Sequence, residues 1–499
     1  MFTKLSSSAF IRLVLLLLLT FSFVYGVPLE NWRKPFFNTA ADMELADKSP
    51  SGMFWDNIGE ADVFDRSIWF PGESTDSINY LFLEPQVMGG YGPVLSDENS
   101  RSYFQINILN QIRYRHLLVR QVVNVDKRYE YDKLYPAHKD RDLRGRFDEA
   151  FVQVDWKYGF FRLGRLNRNW GPFADRSLVL SSNPYSYDAL EWQLRSSLFE
   201  FRHIFAAFHY NRSDHRDSDN NADLNRFLTA HSLNLMLGKW VTLGLTETVL
   251  FTRTKHFPDL QYINPFSAYT VVNTNQEGKG NLVLAFQWNI HPLIEDVCFR
   301  GQVAFDDFQV DDEKITDKEP AHWGIDMGIF WRNPFKLPMN HLLKTTCTYV
   351  SPWMYTVPDN NANNGERYIY WDKSLGMSEN DFDRISAGFD IIGKNYWASG
   401  FEMAFFRNGG NNVLTKWQDS EEGNTKGLPV DRDSIREKGF EILLETRFYY
   451  RNYADLSLSG SSKWVKNKDN ISTSSFELVP SIRAELSFHF SNFRLRLPN

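Results

Sequence analysis

The chain of 499 residues is 42% apolar, 16% aromatic and 23% charged, with 55 Lys+Arg against 62 Asp+Glu for a formal net charge of −7. That apolar share excludes a disordered chain, two cysteines exclude a disulfide scaffold, and the acidic balance argues against a nucleic-acid partner. The length suits two or three ordinary domains or one large all-β domain, and 41 Phe, 22 Tyr and 15 Trp form an aromatic excess that requires a cause.

Residues 1–26 place Lys4 and Arg12 before an apolar core running from Leu13 to Val24, followed by Val24-Tyr25-Gly26. This reads as a cleaved secretory signal peptide, because its apolar run is short against the roughly 20 residues of a spanning helix. Val27, not Cys, follows the expected cut, so no lipid anchor is implied. Residues 27–99 are acidic and irregular, and 27–77 are expected to form a small N-terminal periplasmic or plug element outside the barrel wall. One helix is predicted there over 38–48, with Asn38 or Thr39 as its cap. No later stretch qualifies as a spanning helix: the best, Ser232 to Phe251, is interrupted by Asn234, Lys239 and Glu247. An exported chain without one is either soluble or a membrane β-barrel.

From about residue 78 the hydrophobic period becomes two. Phe104, Ile106, Ile108, Ile112 and Tyr114 share one face, with Gln105, Asn107, Gln111 and Arg113 on the other. Leu282, Leu284, Phe286, Trp288 and Ile290 oppose Gln287 and Asn289; Val297, Phe299, Val303 and Phe305 oppose Arg300, Gln302 and Asp306. Phe440, Ile442, Leu444, Phe448 and Tyr450 oppose Glu441, Glu445 and Arg447. Strands are predicted near 78–87, 103–114, 117–125, 148–158, 160–165, 190–196, 199–210, 231–238, 241–251, 281–290, 297–306, 322–331, 342–350, 384–393, 396–406, 440–450, 453–464 and 475–490. Their length is close to the roughly 9–11 residues a tilted strand needs to cross a bilayer. Short connections such as 115–116 and 197–198 alternate with long ones such as 88–102, 166–189 and 351–383, the pattern of periplasmic turns and outer loops. Aromatic girdles at the two membrane interfaces then account for the Trp and Tyr, as with Trp323 and Trp331 at the ends of one strand. The fold class expected is an all-β, transmembrane outer-membrane antiparallel β-barrel of about 18 strands over 78–499.

The densest chemistry lies in 164–184, where Arg165, Arg168 and Asn169 precede Trp170-Gly171-Pro172. A turn at Gly171-Pro172 would hold the indole in one direction, offering a stacking face for a sugar ring beside guanidinium donors for its hydroxyls or carboxylates. The same loop could instead fold back as a barrel plug with its arginines paired to lumen acids, and both readings stay open. Asp306 and Asp307 sit where a strand meets a loop carrying Asp311 and Asp312. Their spacing is not that of an EF-hand loop, so pairing or lumen lining is preferred and no metal or cofactor is assigned. Adjacent extended residues point to opposite faces, which also disfavours joint acid–base catalysis. No Gly-x-Ser-x-Gly and no defensible nucleophile–His pairing occurs. Cys298 and Cys347 are placed on the inner face of strands that are not neighbours. Loop 126–147 carries seven bases and five acids, a mixed solvated loop or one that faces an anionic polymer or glycolipid phosphates.

The run Gly164-Arg165, Arg168, Trp170-Gly171-Pro172, then Ser177-Leu178-Val179-Leu180-Ser181 and Asn183, resembles the signature of the capsule-assembly outer-membrane protein (Wzi) family. The likeness continues through Arg226, Leu228, His231, Glu247, Tyr262-x-Asn264-Pro265-Phe266, Asn281 and Asp306-Asp307. Phe173 stands where a second Gly is usual, Ser232 where a basic residue is, and Glu247 falls in phase with the outward Leu243 and Leu245. The resemblance implies an eighteen-stranded barrel that anchors capsular or exopolysaccharide at the cell surface, lectin-like and without catalytic activity. With the reading of the residues above, glycan binding is expected on Arg165, Arg168, Asn169, Trp170, Tyr262, Asn264, Asp306 and Asp307. Expected partners are the surface polysaccharide, outer-membrane lipid or lipopolysaccharide and the polysaccharide export machinery. A diffusion porin is the first competing class and an outer-membrane hydrolase the second.

Overall fold

The computed structural model describes residues 79–94, 97–132, 134–135, 144–173, 176–208, 225–238, 240–253, 258–275, 280–291, 296–307, 321–335, 337–357, 365–393, 397–415, 435–450, 454–473, 475–490 and 493–496. The signal peptide, the 27–77 element with its helix, and Asp311 and Asp312 lie outside the described residues.

The first strands are β1 (Tyr80–Val94), β2 (Asp97–Tyr114), β3 (Leu117–Asp126), β4 (Gly145–Trp156), β5 (Gly159–Leu166), β6 (Tyr187–Arg195), β7 (Phe199–Phe208), β8 (Asn225–Leu237) and β9 (Val241–Arg253). Two short helices follow, α1 (Leu260–Ile263) and α2 (Tyr269–Asn275). Then come β10 (Asn281–Ile290), β11 (Val297–Asp307), β12 (His322–Arg332), β13 (Asn340–Val350) and a small hairpin, β14 (Ile369–Tyr370) with β15 (Lys373–Ser374). The last strands are β16 (Phe382–Gly393), β17 (Trp397–Asn408), β18 (Glu437–Tyr450), β19 (Ala454–Lys466), β20 (Glu477–His489) and β21 (Phe493–Arg496). All pairing in the large sheet is antiparallel between chain neighbours, and the ring closes where β1 meets the chain end. Gln86–Tyr91 pair with His489–Ala484, and Tyr80–Leu83 with Arg496–Phe493, so β20 and β21 are two parts of one closing strand. The wall is therefore a closed antiparallel barrel of eighteen strands. Among the described residues no helix is long and apolar enough to cross a membrane; the crossing is made by strands.

The period-two pattern explains the two faces. Outward side chains such as Val152, Val154, Leu163, Leu245, Phe286, Ile329, Phe405 and Leu444 are exposed and apolar, and Trp156, Trp240 and Trp331 collect at the short-turn end. Inward side chains are polar and paired across strands: Arg120 with Glu149 at 2.5 Å, Lys344 with Asp390 at 2.8 Å, Arg384 with Glu402 at 2.7 Å, and Arg113 with Asp155.

Three details differ from expectation. Residues 88–102 are not a long loop: β1 and β2 run on as a hairpin with only residues 95–96 between them. Gly89-Gly90-Tyr91-Gly92-Pro93 disguises that strand, and Gly90 is needed because a Cβ there would lie 2.6 Å from the Tyr103 ring. Cys347 faces outward rather than inward, between Met327 and Ile385, since Thr346 and Thr348 point in to Ser386 and Asp326. The adjacent Leu342-Leu343 blurs the phase of that strand. Neither cysteine is in a disulfide, and the Cys298 thiol donates to the Asn289 side chain at 2.8 Å. Finally, pairing continues beyond the last predicted strand, because residues 493–496 complete the seam with β1.

Candidate functional site: a lumen cap and an outer-wall flap

Two long connections fill the lumen. The first, between β5 and β6, turns inward after Leu166. Gly171 permits its tight reversal, where a Cβ would meet the Ser177 Cβ at 2.7 Å and the Arg176 carbonyl oxygen at 2.9 Å. The reversal is closed by Trp170 N–H donating to the Leu180 carbonyl at 2.7 Å and by the Ser177 hydroxyl donating to the Trp170 carbonyl at 3.0 Å. Inward amides of the wall receive it. Gln302 accepts from Leu178 N–H at 2.7 Å and donates to Gln287 at 3.1 Å, and Gln287 donates to Asn234 at 3.1 Å. Arg176 pairs with Asp326 at 2.7 Å. Phe173 packs with Cys298, Phe330 and Leu342.

The second connection, residues 351–357 and 365–381, lies over the first. Asp306 accepts from Tyr355 N–H at 2.6 Å, and the Tyr355 hydroxyl donates to the Leu178 carbonyl at 2.8 Å. These bonds hold Tyr355 in the left-handed region at φ 71°. Arg226 of β8 donates to the carbonyls of Gly365, Arg367 and Ile369 at 2.7–2.9 Å, and Tyr368 and Thr248 share a 2.8 Å hydroxyl contact. Trp170, Leu178, Val179, Leu180, Met354, Tyr355, Tyr368, Ile369 and Leu375 then merge with the inward Ile204, Ala230, Ala285 and Ala304 into one apolar core inside the barrel. Each large side chain so enclosed contributes about 1.5–3 kcal/mol toward holding the cap in.

A buried charge cluster supports this core. Glu191 faces Arg162 and Arg168 at 3.4 Å each and is bonded to Arg202 as well, all four side chains being fully enclosed. Arg168 also donates to the Leu166 and Tyr187 carbonyls at 3.0 Å. Arg202 lies 5.3 Å over the Trp170 ring, so a protein cation already occupies that indole face.

The predicted site residues therefore fall in three places. Arg168, Asn169 and Trp170 meet inside the cap, with Trp170 at 0% exposure, and Asp306 helps anchor the cap's second layer. Arg165 sits at the outer rim, half-exposed and paired with Asp188 at 2.5 Å. Tyr262 and Asn264 belong to neither group. Their segment folds over the outside of the wall, where Tyr262, Tyr269 and Val272 pack on Phe227, Val249 and Phe251. Asp307 closes β11. None of Arg168, Asn169, Trp170 or Tyr262 turns a face to solvent.

Sequence reasoning missed the rim. Tyr129 and Tyr135 stack at 4.5 Å, and Tyr185 meets both edge-on. Arg146 and Lys373 lie 4.2 and 4.1 Å over the Tyr185 ring, while Asp132 takes the Tyr185 hydroxyl and, at 3.0 Å, the Lys373 ammonium. Burial pulls the Asp132 carboxyl up, but the Tyr185 bond and the Lys373 charge outweigh it and hold it below the usual range. Nearby, Arg101 of β2 lies 4.6 Å over Tyr131 of the loop that carries Tyr129 and Tyr135. The β14–β15 turn is Trp371-Asp372, both at positive φ (50° and 59°), where Asn-Gly is the usual pair. It carries a half-buried indole two residues from Lys373. Only the repeated Tyr of 129–135 signalled this cluster.

The fold and its filled lumen define a capped outer-membrane β-barrel. Among solved structures, the chain is similar to Wzi of Escherichia coli, described as an outer-membrane protein involved in group 1 capsule assembly and a carbohydrate-binding β-barrel. The match has 11% identity, covers 86% of each chain and has a TM-score of 0.54. The resemblance to that family is thus present in the fold. Weaker likenesses are to OccAB4 of Acinetobacter baumannii (8% identity, 84% and 99% covered, TM-score 0.45) and OprD of Pseudomonas aeruginosa (9%, 84% and 94%, 0.45). No protein-family model and no curated protein sequence matches.

Proposed function

We propose that this protein is a non-catalytic outer-membrane barrel that binds surface polysaccharide on its outer face and retains it at the cell. The observation that carries this reading is the cap. Its own apolar core and fastened arginines occupy the lumen from Phe173 up to the β14–β15 hairpin, which suits a binding platform better than a water-filled conduit. The Wzi likeness, to a carbohydrate-binding barrel, points the same way. In this reading Arg168, Asn169, Trp170 and Asp306 form the frame, and the rim forms the contact surface. Trp371 and Tyr131 supply stacking faces; Arg101, Arg146, Arg165 and Lys373 supply donors for hydroxyl and carboxylate groups. Each contact is weak, and a repeating polymer adds them through effective concentration. Neighbours there are outer-leaflet glycolipid and the machinery that delivers the polymer.

The test is the ratio of cell-bound to shed polysaccharide in cells lacking the gene, then complemented with the native chain or with Trp371→Ala. Release of polymer made in normal amount, restored by the native chain and less by Trp371→Ala, is expected. An unchanged ratio together with steady open conductance of the purified barrel overturns the reading in favour of a porin.

A further inference from the structure

The segment between β9 and β10 leaves the outer rim and descends along the outside of the wall. Its depth can be read from the ladder. Leu194, Phe201, Leu233, Leu245 and Phe286 are paired neighbours in one row across β6–β10, all outward and all but the half-buried Phe201 more than a third exposed. They belong to the apolar belt. One pleat nearer the rim, the next outward row is Trp192, His203, His231, Glu247 and Leu284. Two histidines and a carboxylate there would face hydrocarbon on a bare wall, at a cost of several kcal/mol for unsatisfied groups.

The flap covers them. Phe266 stacks on Phe201 of the belt row at 5.8 Å and 16° and lies 6.4 Å from Trp192. Glu247 accepts from His231 at 2.9 Å, from Tyr269 N–H at 2.9 Å, from Thr270 N–H at 3.4 Å and from the Thr270 hydroxyl at 2.6 Å. The Tyr269 hydroxyl meets Thr229 at 2.9 Å. Six further backbone donors of the flap are satisfied internally: Tyr262 and Ile263 to Asp259, Asn264 to Leu260, Phe266 to the Asn264 side chain, Ser267 to Asn264 and Val272 to Ala268. That internal satisfaction is what a non-barrel segment needs away from water. The flap's outer surface is apolar, with Leu260 67%, Phe266 78% and Val271 50% exposed. Residues 260–275 contain no Asp, Glu, Lys, Arg or His, whereas loop 126–147 of the same rim is densely charged.

We infer that residues 260–275 are immersed in the outer leaflet and that Leu260, Phe266 and Val271 bind the acyl chains of its lipids, continuing the belt over β7–β10. Glu247 and Asn264 serve as internal acceptors for the donors of a membrane-immersed flap. This accounts for a carboxylate in phase with lipid-facing leucines.

The experiment places a nitroxide at Phe266→Cys in a Cys298→Ala/Cys347→Ala background, with the full chain reconstituted in phospholipid vesicles. Collision with oxygen, which partitions into lipid, is compared with collision with a water-soluble nickel chelate. Leu245→Cys serves as the belt reference and Asp188→Cys as the rim reference. An oxygen-to-nickel ratio at 266 within about twofold of the belt reference is expected, and a rim-like ratio overturns the inference. If the Phe266→Cys chain does not fold, Val271→Cys reads the same surface. Adding Glu247→Leu, which removes the acceptor, is expected to raise nickel access at 266 while the labelled belt position stays lipid-like. Unchanged nickel access at 266 in that variant overturns the role given to Glu247.

Discussion

Replacing Glu191 with Gln tests the central strut of the cap. The carboxylate stands against Arg162 and Arg168 at 3.4 Å and bonds Arg202, with no solvent contact. At an effective dielectric of about 20, a pair at that separation attracts by about 5 kcal/mol before relaxation. Stranding buried partners has a measured net cost of about 3–5 kcal/mol. Three guanidiniums lose their shared carboxylate at once, so the upper part of that range applies. Arg168→Met removes one base of three and also relieves repulsion between them, leaving mainly its lost carbonyl bonds, about 2 kcal/mol. Urea unfolding of the full chain in detergent micelles, followed by tryptophan fluorescence, measures both. Because Arg168 belongs to the cap, Glu191→Gln is also expected to turn a silent barrel into one with flickering conductance in planar bilayers. A loss below about 1 kcal/mol with the lumen still silent refutes the strut.

Gly171→Ala forces a Cβ against the Ser177 and Arg176 backbone turn and should destabilise by about 1–3 kcal/mol in the same titration. Phe173→Ala opens a hole against Cys298, Phe330 and Leu342, with an expected loss of about 3–5 kcal/mol in the same assay. The Asp132 carboxyl is held below its ordinary value, so its hold on Lys373 and Tyr185 contributes stability fully present above about pH 4 and lost as pH falls through the lower folded value. Unfolding measured against pH should show that acid step in the native chain and a smaller one in Asp132→Asn. Cys347 faces lipid, so in membranes it should react with a permeant maleimide and resist a charged one.

Most of the wall was legible because alternation is a local signal: a strand between water and lipid must switch polarity at every residue. Every predicted strand is present. The hairpin top at 89–93 was illegible because a run of Gly and Pro looks like a loop, although Gly90 is there for close approach to Tyr103 and Gly92 lies against Arg483. The cap was half legible. Arg168 and Trp170 announced that something happens at 164–184, yet whether an indole meets a sugar or Arg202 depends on contacts 32 residues away in sequence and beyond. Glu247 carried the most information of any misfit residue. Its lipid-facing phase was correct, with no bulge to rescue it, and the resolution lay in a segment that pattern reading treats as an outer loop. The rim tyrosines escaped notice because Tyr129, Tyr185 and Lys373 come from three connections and only the closed ring assembles them.

A ring of eighteen similar strands has no inherent front. The second layer over β7–β10 provides one. Along that arc the molecule is thicker, its surface is helical and aromatic, and a neighbouring barrel cannot approach it as closely as it can the strands from β11 round to β5, over which the described residues place no second layer. In a crowded bilayer this biases how the molecule is turned about its own axis, and with it which side of the asymmetric rim faces a neighbour in the membrane plane.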